Sequence, residues 1–476
     1  MKIASGRTTQ RPLAVLALTL LMAACTTVAM NDPLTPSAQV AGPSITGDGY
    51  RMVALADNGA SPEILFGLAF SGGGKRSAAF SYGVLKGLRD YHVSFDGRDR
   101  RLLDLVSTIA AVSGGSFTAA YYGLYRDNIF DNFEREFLKV DIESYIWGMY
   151  LLPWNWEWWV NPLFGTNDQM AKIYDNLMFH GATYADLIRS GKPLISVNAT
   201  DINYGTVFVF TQEQFDLICS DLASYPVARA VAASSGFPIL FTPITLENHA
   251  GECGGKVPSW VARGEAGDPN SREYHQAELA RLYLDPNETR YIHLMDGGIS
   301  DNLAMRGMIN TMLVVSGDDE TIRRLGYDRI RRILLVSADG QASRDSSWPQ
   351  SRTVTSIGQI FRAVSGTQIS AYNFETLLLA RAQLRRTVQD LRRIRCAEAP
   401  MIDGHPCDDV QGYFVHLSLA GISDEATRQE LQQIRTGLTI PDEATDKLVA
   451  AGEEQVHNSP VLEEFRQSLE GTATTE

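Results

Sequence analysis

The sequence lacks the features that would assign it to several large protein classes. Its 42 Lys and Arg residues are outnumbered by 56 Asp and Glu residues, which gives a net charge of −14. A nucleic-acid partner requires surplus positive charge to neutralise phosphates, so this balance argues against nucleic-acid binding. After residue 25, no stretch reaches the roughly 18 uncharged apolar residues that a membrane-spanning helix needs, and no internal repeat is visible.

Cysteine is scarce, with five residues in 476. No two cysteines have CxxC spacing and no histidine cluster accompanies them, so we expect no metal site and no other cofactor. Four cysteines remain besides Cys25, and in an exported protein an even number is compatible with two disulfides in any of three pairings. Cys396 and Cys407 flank a short loop that contains Pro and Gly, so we expect them to pair. Cys219 then pairs with Cys253.

The first 25 residues form a distinct pattern. Basic residues at positions 2, 7 and 11 precede a short apolar run over residues 13–21, and small residues stand directly before Cys25. The run is too short for a permanent span, and its flanks are typical of a cleaved signal. The pattern resembles the bacterial lipoprotein signal, with Met22 where leucine is usual. This resemblance implies that residues 1–24 are removed and that Cys25 is lipidated; the alternative is an ordinary signal peptide with an incidental cysteine.

The residues after Cys25 predict a location and a tether. Thr26 stands at the second mature position, where aspartate is absent. By analogy with lipoprotein sorting in bacteria with two membranes, this absence directs the protein to the outer membrane. Residues 25–61 are rich in Pro, Gly, Ser, Thr, Asp and Asn and lack sustained periodicity, which predicts a flexible tether.

Residues 62–470 are predicted to form one α/β domain. Helical patterns alternate with short apolar runs, which are Ile64–Phe70, Leu102–Val112, Leu194–Asn198, Val207–Phe210, Arg290–Met295, Ile333–Val336 and Tyr413–Leu419. This alternation predicts a mostly parallel sheet, in which ligands bind at the carboxyl ends of the strands. The part after residue 338 is mainly helical and follows no clear linker, so we expect it to wrap the same domain.

A candidate nucleophile lies in the turn Ala111-Val112-Ser113-Gly114-Gly115, between an apolar run and a helical pattern. A serine on such a strand–turn–helix elbow exposes its hydroxyl, and its close neighbours must be small to avoid a clash of strand and helix. Ala111 takes the place of the first glycine of G-x-S-x-G. The alternative is a purely structural Ser-Gly-Gly turn.

A second turn, Ser71-Gly72-Gly73-Gly74-Lys75-Arg76, also follows a strand and precedes a helix. Consecutive glycines let backbone N–H groups converge on one point, which suits an oxyanion. A phosphate-binding Walker loop is excluded, because alanine stands at position 69 and arginine directly follows the lysine. Arg76 either adds positive charge near the anion, which we favour, or lies in solvent; for Lys75 neither interpretation is preferred.

A third turn, Asp296-Gly297-Gly298, follows the strand-like run that ends at Met295. An aspartate at the carboxyl end of a strand is placed to face a neighbouring turn, where it can accept the proton of a serine as general base. The alternative is an aspartate that caps a helix or stabilises a turn.

The three turns, in this order, resemble those of the patatin-like phospholipases. Further matches are the segments Phe80–Leu85, Asn198–Asp201, Ala232–Pro238 and Leu438–Gly452, so the resemblance covers roughly residues 62–465. It implies a three-layer α/β domain with a Ser–Asp dyad, in which Ser113 attacks an ester carbonyl and Asp296 removes the serine proton. It also implies that backbone groups of Gly72, Gly73 and Gly74 hold the oxyanion.

Three positions depart from the family pattern, namely Ala111 for glycine, Ser71 for the frequent aspartate, and Ser77 where glycine often follows arginine. None of these departures removes a reacting group, so they affect the fine geometry and the rate rather than the reaction class. A Ser-His-Asp triad is the mechanistic alternative. His293 lies three residues before Asp296, and an odd separation on one strand points two side chains to opposite faces.

Two clusters bear on membrane contact. Five of the seven tryptophans lie between Trp147 and Trp159, and such rings favour the boundary between headgroups and acyl chains. We therefore expect a lid or docking loop there, with an aromatic core segment as the alternative. Six arginines between Arg381 and Arg395 either meet anionic headgroups or form an ion-paired helix face, which we favour.

The combined pattern predicts a phospholipase A-type lipid acyl hydrolase. It would cleave fatty-acyl esters of membrane phospholipids as a carboxylic ester hydrolase, without metal or organic cofactor. The alternatives are a catalytically silent lipid-binding or scaffolding lipoprotein, and a hydrolase of soluble esters or thioesters. Ser113, Asp296 and the triple glycine together argue against the silent lipoprotein, and the tether and aromatic segment argue against a soluble substrate.

Overall fold

The computed structural model describes residues 29–41, 49–51, 61–151, 165–238, 240–315, 318–342 and 357–470. The predicted signal peptide of residues 1–24, Cys25 and four of the five clustered tryptophans lie outside these residues. Trp147 falls within a described helix, but its side chain is not described. The expectations about the lipid anchor and the aromatic segment therefore stay predictions.

The strands follow the apolar runs of the sequence. In chain order they are β1 (Ile64–Phe70), β2 (His92–Phe95), β3 (Arg98–Arg101), β4 (Thr108–Val112), β5 (Leu194–Asp201), β6 (Thr206–Val209), β7 (Ile244–Glu247), β8 (Tyr291–Met295), β9 (Arg332–Asp339), β10 (Met401–Ile402), β11 (His405–Pro406) and β12 (Gln411–Ser418). The predicted strand from Leu102 to Val112 is shorter, because Leu102–Leu105 forms a 3₁₀ turn that buries three leucines and leaves Asp104 exposed.

Helices fill most of the remaining described chain. They are α1 (Pro36–Ala41), α2 (Gly74–Asp90), α3 (Gly114–Tyr125), α4 (Ile129–Phe133), α5 (Ile142–Leu151), α6 (Thr166–Tyr174), α7 (Tyr184–Ser190), α8 (Gln212–Leu217), α9 (Val227–Ser235), α10 (Ser259–Glu265), α11 (Arg272–Leu284), α12 (Gly298–Asp301), α13 (Arg306–Val315), α14 (Asp319–Arg324), α15 (Ile357–Glu398), α16 (Glu425–Gln432), α17 (Asp442–His457) and α18 (Pro460–Glu470). Within the described ranges, no helix is long and apolar enough to cross a membrane.

The main sheet is mostly parallel, as predicted. Its order is β12-β9-β1-β4-β5-β8-β7, and β6 pairs with β5 beside this path. The five strands from β12 to β5 run parallel to one another, whereas β8 is antiparallel to β5 and β7 is antiparallel to β8. Two small antiparallel pairs, β2-β3 and β10-β11, lie apart from this sheet.

Side chains of β1 divide between two hydrophobic clusters, which makes the domain three-layered. Phe66, Leu68 and Phe70 belong to a cluster with side chains of α2, α3 and α17, whereas Leu65 and Ala69 belong to a second cluster with α13 and α15. Because successive side chains of a strand point to opposite faces, helices cover both faces of the sheet. Strands β9 and β12 come from the part after residue 330, so this part completes the same domain.

Helices α2 and α17 pack closely through two glycines. A Cβ atom on Gly83 would overlap the carbonyl oxygen of Val449, and one on Gly452 would overlap the carbonyl oxygen of Phe80. Only glycine allows the two backbones to approach so closely. The contact fixes α2, whose first residue, Gly74, is the last glycine of the second turn.

The segment predicted to be a flexible tether, residues 25–61, packs on the domain at two places. Asn31 Nδ2 donates to Glu247 O at 2.8 Å and to Ser220 Oγ at 3.0 Å, while the N–H of Glu247 donates back to Asn31 Oδ1 at 2.8 Å. Further along, the buried Tyr50 accepts from the N–H of Ile195 at 2.5 Å. Composition indicates a tether here, but a few side-chain contacts are enough to hold parts of it against the domain.

Two disulfides join the cysteines in the expected pairs, Cys219 with Cys253 and Cys396 with Cys407. The second bond lies at the end of α15, beside the small β10-β11 pair. Most of the arginines of α15 contact other parts of the protein: Arg393 pairs with Asp319, and Arg392 donates to Val410 O. The ion pair of Arg393 agrees with the favoured interpretation of an ion-paired helix face, whereas Arg392 donates to a backbone carbonyl and Arg395 is buried.

Candidate active site

The predicted nucleophile lies on a strained elbow between β4 and α3. Ser113 has φ 50° and ψ −121°, a backbone conformation that non-glycine residues rarely adopt and that strains the turn. The turn needs small neighbours, because a Cβ on Gly115 would lie 2.6 Å from Phe70 Cβ and one on Gly114 would overlap Gly74 O. This is the geometry that the sequence predicted for a serine with an exposed hydroxyl.

Ser113 and Asp296 are in direct contact. Ser113 Oγ donates a hydrogen bond to Asp296 Oδ2 at 2.9 Å, and the N–H of Gly298 donates to Asp296 Oδ1 at 2.8 Å. Both oxygens of the carboxylate are therefore held, and Oδ2 faces the serine. A general base needs this hydrogen-bond distance to the proton that it removes.

The direction of β8 explains how this contact forms. Because β8 is antiparallel to β5, it runs back from the carboxyl end of β5, with Met295 opposite Thr200. Gly297, which follows Asp296, lies against the carbonyl of Asn198, and Asn198 is the residue of β5 that is in register with Val112 of β4. The aspartate thus reaches the serine across β5, from a strand of opposite direction.

Burial changes the acidity of the aspartate. Asp296 is only 8% exposed, and this desolvation raises its pKa to about 6, against the smaller opposing effects of the hydrogen bonds from Gly298 and Ser113. A carboxylate with a pKa near neutrality is a stronger base than an ordinary aspartate, yet it is still ionised at neutral pH.

Ser234, at the end of α9, connects the turn of Ser113 with the turn of Asp296. Its hydroxyl accepts the N–H of Ser113 at 2.8 Å and donates to Asn198 O at 2.7 Å, and its carbonyl accepts the N–H of Gly297 at 3.0 Å. In the sequence, the segments around Asn198 and Ser234 are family matches without a predicted role. A single serine near the end of a helix carries no chemical signature that reveals this function.

The glycine turn lies against the elbow. A Cβ on Gly72 would be 3.3 Å from Ser113 Cβ. The N–H of Gly72 donates to Asn302 O at 2.9 Å, so it is not available to an oxyanion. Gly73 has φ 141° and Gly74 has φ 61°, and the N–H groups of these two glycines have no hydrogen-bond partner among the described residues. Two of the three predicted donors therefore remain available.

Arg76 does not lie in solvent, so that alternative is wrong, and one of its η nitrogens is 3.1 Å from where a Cβ on Gly73 would lie. The favoured role, positive charge near an oxyanion, stays a prediction. The side chain is 1% exposed, and its guanidinium donates from Nε to Gly340 O at 2.6 Å, from an η nitrogen to Ile434 O, and to Thr436 Oγ1 at 3.2 Å. Desolvation lowers its pKa to about 10, although Asp339 opposes this. Arg76 thus fastens the segment after β9 and the segment before α17 to the first turn of α2.

Lys75 is also buried rather than solvated. Its Nζ donates to Val140 O and lies 5.4 Å from the centre of the Phe137 ring. Burial lowers the pKa of Lys75 to about 8, against the attraction of nearby carboxylates. Its contacts are with the segment between α4 and α5, which they hold against α2.

The imidazole of His293 contacts Thr245 on β7. Its Nδ1 lies 3.1 Å from Thr245 Oγ1 on β7, and the ring is half-buried. The hydrogen-bond partner of Ser113 Oγ in the described part of the chain is Asp296, not a histidine. Among those residues, no group of three or more His, Cys, Asp or Glu side chains is arranged to hold a metal ion.

These features define an α/β protein with a serine nucleophile elbow and an aspartate partner. A sequence model of the patatin-like phospholipases matches residues 68–309, just over half of the chain, and the chain belongs to that family. The match ends before β9, although β9 and β12 complete the same sheet.

Solved structures and curated proteins add little to the family assignment. The chain is 12% identical to human GIVD cytosolic phospholipase A2, with a TM-score of 0.45. The matched region covers 86% of this chain and 62% of that chain. For the same enzyme in complex with methyl gamma-linolenyl fluorophosphonate and terbium chloride, the identity is 13% and the TM-score is 0.36. The matched region covers 86% of this chain and 59% of that chain. The chain thus spans less than two thirds of these proteins. No curated protein has significant sequence similarity to it.

Proposed function

We propose that the protein is a phospholipase A-type lipid acyl hydrolase with a Ser113–Asp296 dyad. The observation that carries the proposal is the 2.9 Å hydrogen bond from Ser113 Oγ to Asp296 Oδ2 on a strained elbow. Membership of the patatin-like phospholipase family supports lipid esters as the substrate class.

The reaction proceeds in two steps. Ser113 Oγ attacks the ester carbonyl carbon while its proton passes to Asp296 Oδ2, and the tetrahedral oxyanion is held by the N–H groups of Gly73 and Gly74. The bond to the leaving alcohol then breaks, and Asp296 returns the proton to that oxygen. Water attacks the acyl-serine with Asp296 again as base, which releases the fatty acid and restores Ser113.

Ser113→Ala and Asp296→Asn are expected to abolish most hydrolysis and to leave the fold intact. Asparagine can still accept from Gly298 and donate to Ser113, so the turn keeps its hydrogen bonds, but it cannot take a proton. Since the two residues act as a unit, the double variant should be little worse than either single variant. The measurement is mass spectrometry of products from defined phospholipids in micelles, beside a short soluble ester.

Asp201→Asn is the matched control. Asp201 is a buried carboxyl on β5 that accepts the N–H of Asn203 at 2.9 Å and the hydroxyl of Tyr283 at 2.8 Å. Asparagine can keep the first bond through Oδ1 and can donate from Nδ2 to the oxygen of the Tyr283 hydroxyl. This control should retain hydrolysis. Near-normal turnover by Asp296→Asn, or an equally severe loss in Asp201→Asn, would show that Asp296 is not the base.

We further propose that the protein is held at the outer membrane by lipidated Cys25 and that the segment Trp147–Trp159 contacts the same bilayer. The sequence pattern before Cys25 supports the anchor, and the clustered tryptophans support the contact. Cys25→Ser should release the protein from washed membranes or leave its signal uncleaved, measured by fractionation and intact mass. Normal processing with unchanged membrane retention would exclude the lipid anchor.

A further inference from the structure

The side chain of Asn302 is buried without a hydrogen-bond partner. Asn302 is 7% exposed, and its Nδ2 is fully buried with no partner in the part of the chain that the structure describes. Buried amides are normally paired, because an unpaired one loses its hydrogen bonds to water without replacement. An unpaired amide that is kept beside a reaction centre therefore suggests a partner that arrives with the substrate.

Asn302 lies between the glycine turn and the catalytic aspartate. A Cβ on Gly72 would overlap Asn302 Oδ1 and would lie 3.3 Å from Ser113 Cβ. A Cβ on Gly298 would lie 3.0 Å from Asn302 Oδ1 and equally 3.0 Å from Asp296 Oδ1. The carboxamide of Asn302 is therefore a close neighbour of both dyad residues.

The backbone of Asn302 fixes this position. Its carbonyl accepts the N–H of Gly72 at 2.9 Å, which holds the residue against the glycine turn and removes Gly72 as an oxyanion donor. The two ends of a carboxamide have nearly the same shape. A half-turn about the bond from Cβ to Cγ therefore places Nδ2 where Oδ1 lies, facing Gly72 and the nucleophile, without displacing any neighbour.

We propose that Asn302 is a further catalytic residue whose Nδ2 donates a hydrogen bond to the oxyanion formed on Ser113. It supplies the third donor that the occupied N–H of Gly72 cannot supply. In the free protein Nδ2 lies on the buried side of the carboxamide without a partner, and the half-turn brings it to the side of Gly72, where it gains a partner when negative charge develops on the ester oxygen. This inference rests on the proposed hydrolase function of the same site.

Asn302→Ala should lower the activity without lowering the stability. Loss of one oxyanion donor lowers kcat by about 10²–10³-fold, whereas KM for a short soluble ester stays within a few-fold. Removal of an unpaired amide leaves Tm unchanged or raises it. The measurements are steady-state kinetics on the soluble ester and thermal unfolding of the same preparations.

Asn248→Ala is the matched control, because Asn248 is also 7% exposed but its Nδ2 is paired with Tyr283 O at 2.8 Å and Thr289 O at 2.7 Å. This control should lower Tm and leave kcat of the folded protein near wild type. Asn302→Asp keeps the shape of the side chain and replaces the donor by an acceptor, so it should lose at least as much kcat as Asn302→Ala. It serves as the test if the alanine variant does not fold.

Wild-type kcat in either Asn302 variant, or a loss of kcat that only follows a loss of Tm, would overturn the inference. Absence of hydrolysis in the wild type would instead overturn the proposed function. The two failures are thus distinguishable in one experiment.

Discussion

The carboxyl group of Asp296 determines how activity should depend on pH. It must be ionised to act as base, and burial raises its pKa to about 6. We therefore expect kcat/KM to be constant above this pH and to fall tenfold for each pH unit below it. The measurement is the pH–rate profile on a soluble ester, and a profile that stays flat down to pH 4.5 would contradict the role of Asp296 as base.

The same pKa has the opposite effect on stability. A carboxyl whose pKa is raised by folding stabilises the native state below its unfolded pKa, and this contribution is lost as the pH rises through 6. Keeping Asp296 ionised costs the folded protein about 3 kcal/mol. Asp296→Asn should therefore raise Tm at pH 8 and change it little at pH 4, which provides a check that is independent of activity.

The residues of the site differ in how far the sequence reveals them. Ser113 and Asp296 each stand next to glycines at a strand end, and it is the ordered combination of these turns with the triple glycine that reveals them. Ser234 and Asn302 lack such neighbours, and their roles depend on hydrogen bonds to residues far away in the chain. Arg76 was recognised as notable, but its contacts with Ile434 and Thr436 depend on the path of the C-terminal segment, which local pattern does not predict.

Among the elements, α2 and α17 pack so closely that their contact tolerates little added volume. Gly83→Ala places a methyl group against the carbonyl oxygen of Val449, so the helices must move apart. We expect a net loss of about 1–3 kcal/mol in the free energy of unfolding, although alanine favours a helix over glycine. Denaturant unfolding measures this change.

Gly366→Ala, in the interior of α15, is the control for this prediction. A Cβ there meets nothing within 4 Å, so alanine should be neutral or stabilise by up to about 1 kcal/mol. Equal effects of the two substitutions would show that the close approach of α2 and α17 does not contribute to stability.

Strand direction is the part of the fold that the sequence did not predict. The apolar residues of β8 indicate a strand, but an apolar run looks the same for either direction. Its reversal depends on the pairing of Met295 with Thr200, which is a contact between distant segments. The parallel strands from β12 to β5 were predictable because helices alternate with them.

At the scale of the molecule, two exposed apolar side chains belong to segments that contact the turn of Asp296 or the helix after it. Leu240 is 66% exposed and comes four residues after Gly236, whose carbonyl accepts the N–H of Asp296 at 3.0 Å. Phe374 is 61% exposed on α15, which packs against α12, the helix that directly follows the Asp296 turn. Leu240→Asp and Phe374→Asp should each lower hydrolysis of phospholipid vesicles several-fold and leave hydrolysis of a soluble ester unchanged.

Met401→Asp is the control for the substitutions of Leu240 and Phe374. Met401 is 53% exposed on β10, beyond the end of α15. It lies about 35 Å farther along the helix axis than Phe374. This variant should hydrolyse vesicles like the wild type. If Leu240→Asp and Phe374→Asp lowered hydrolysis of vesicles and of the soluble ester equally, this would indicate damage to the site rather than loss of membrane contact.

The docking of Asn31 limits how far the domain can move from its proposed anchor. Only five residues lie between Cys25 and Asn31, and the six Cα-to-Cα steps of a fully extended chain of that length span about 20 Å. The edge of the sheet at β7, where Asn31 binds Glu247, then stays within that radius of the lipid. The bilayer is thereby present at a high effective concentration, on the order of millimolar or more. Exposed apolar side chains such as Leu240 and Phe374, which would bind free vesicles only weakly, are then sufficient to keep the site of an anchored protein at the membrane.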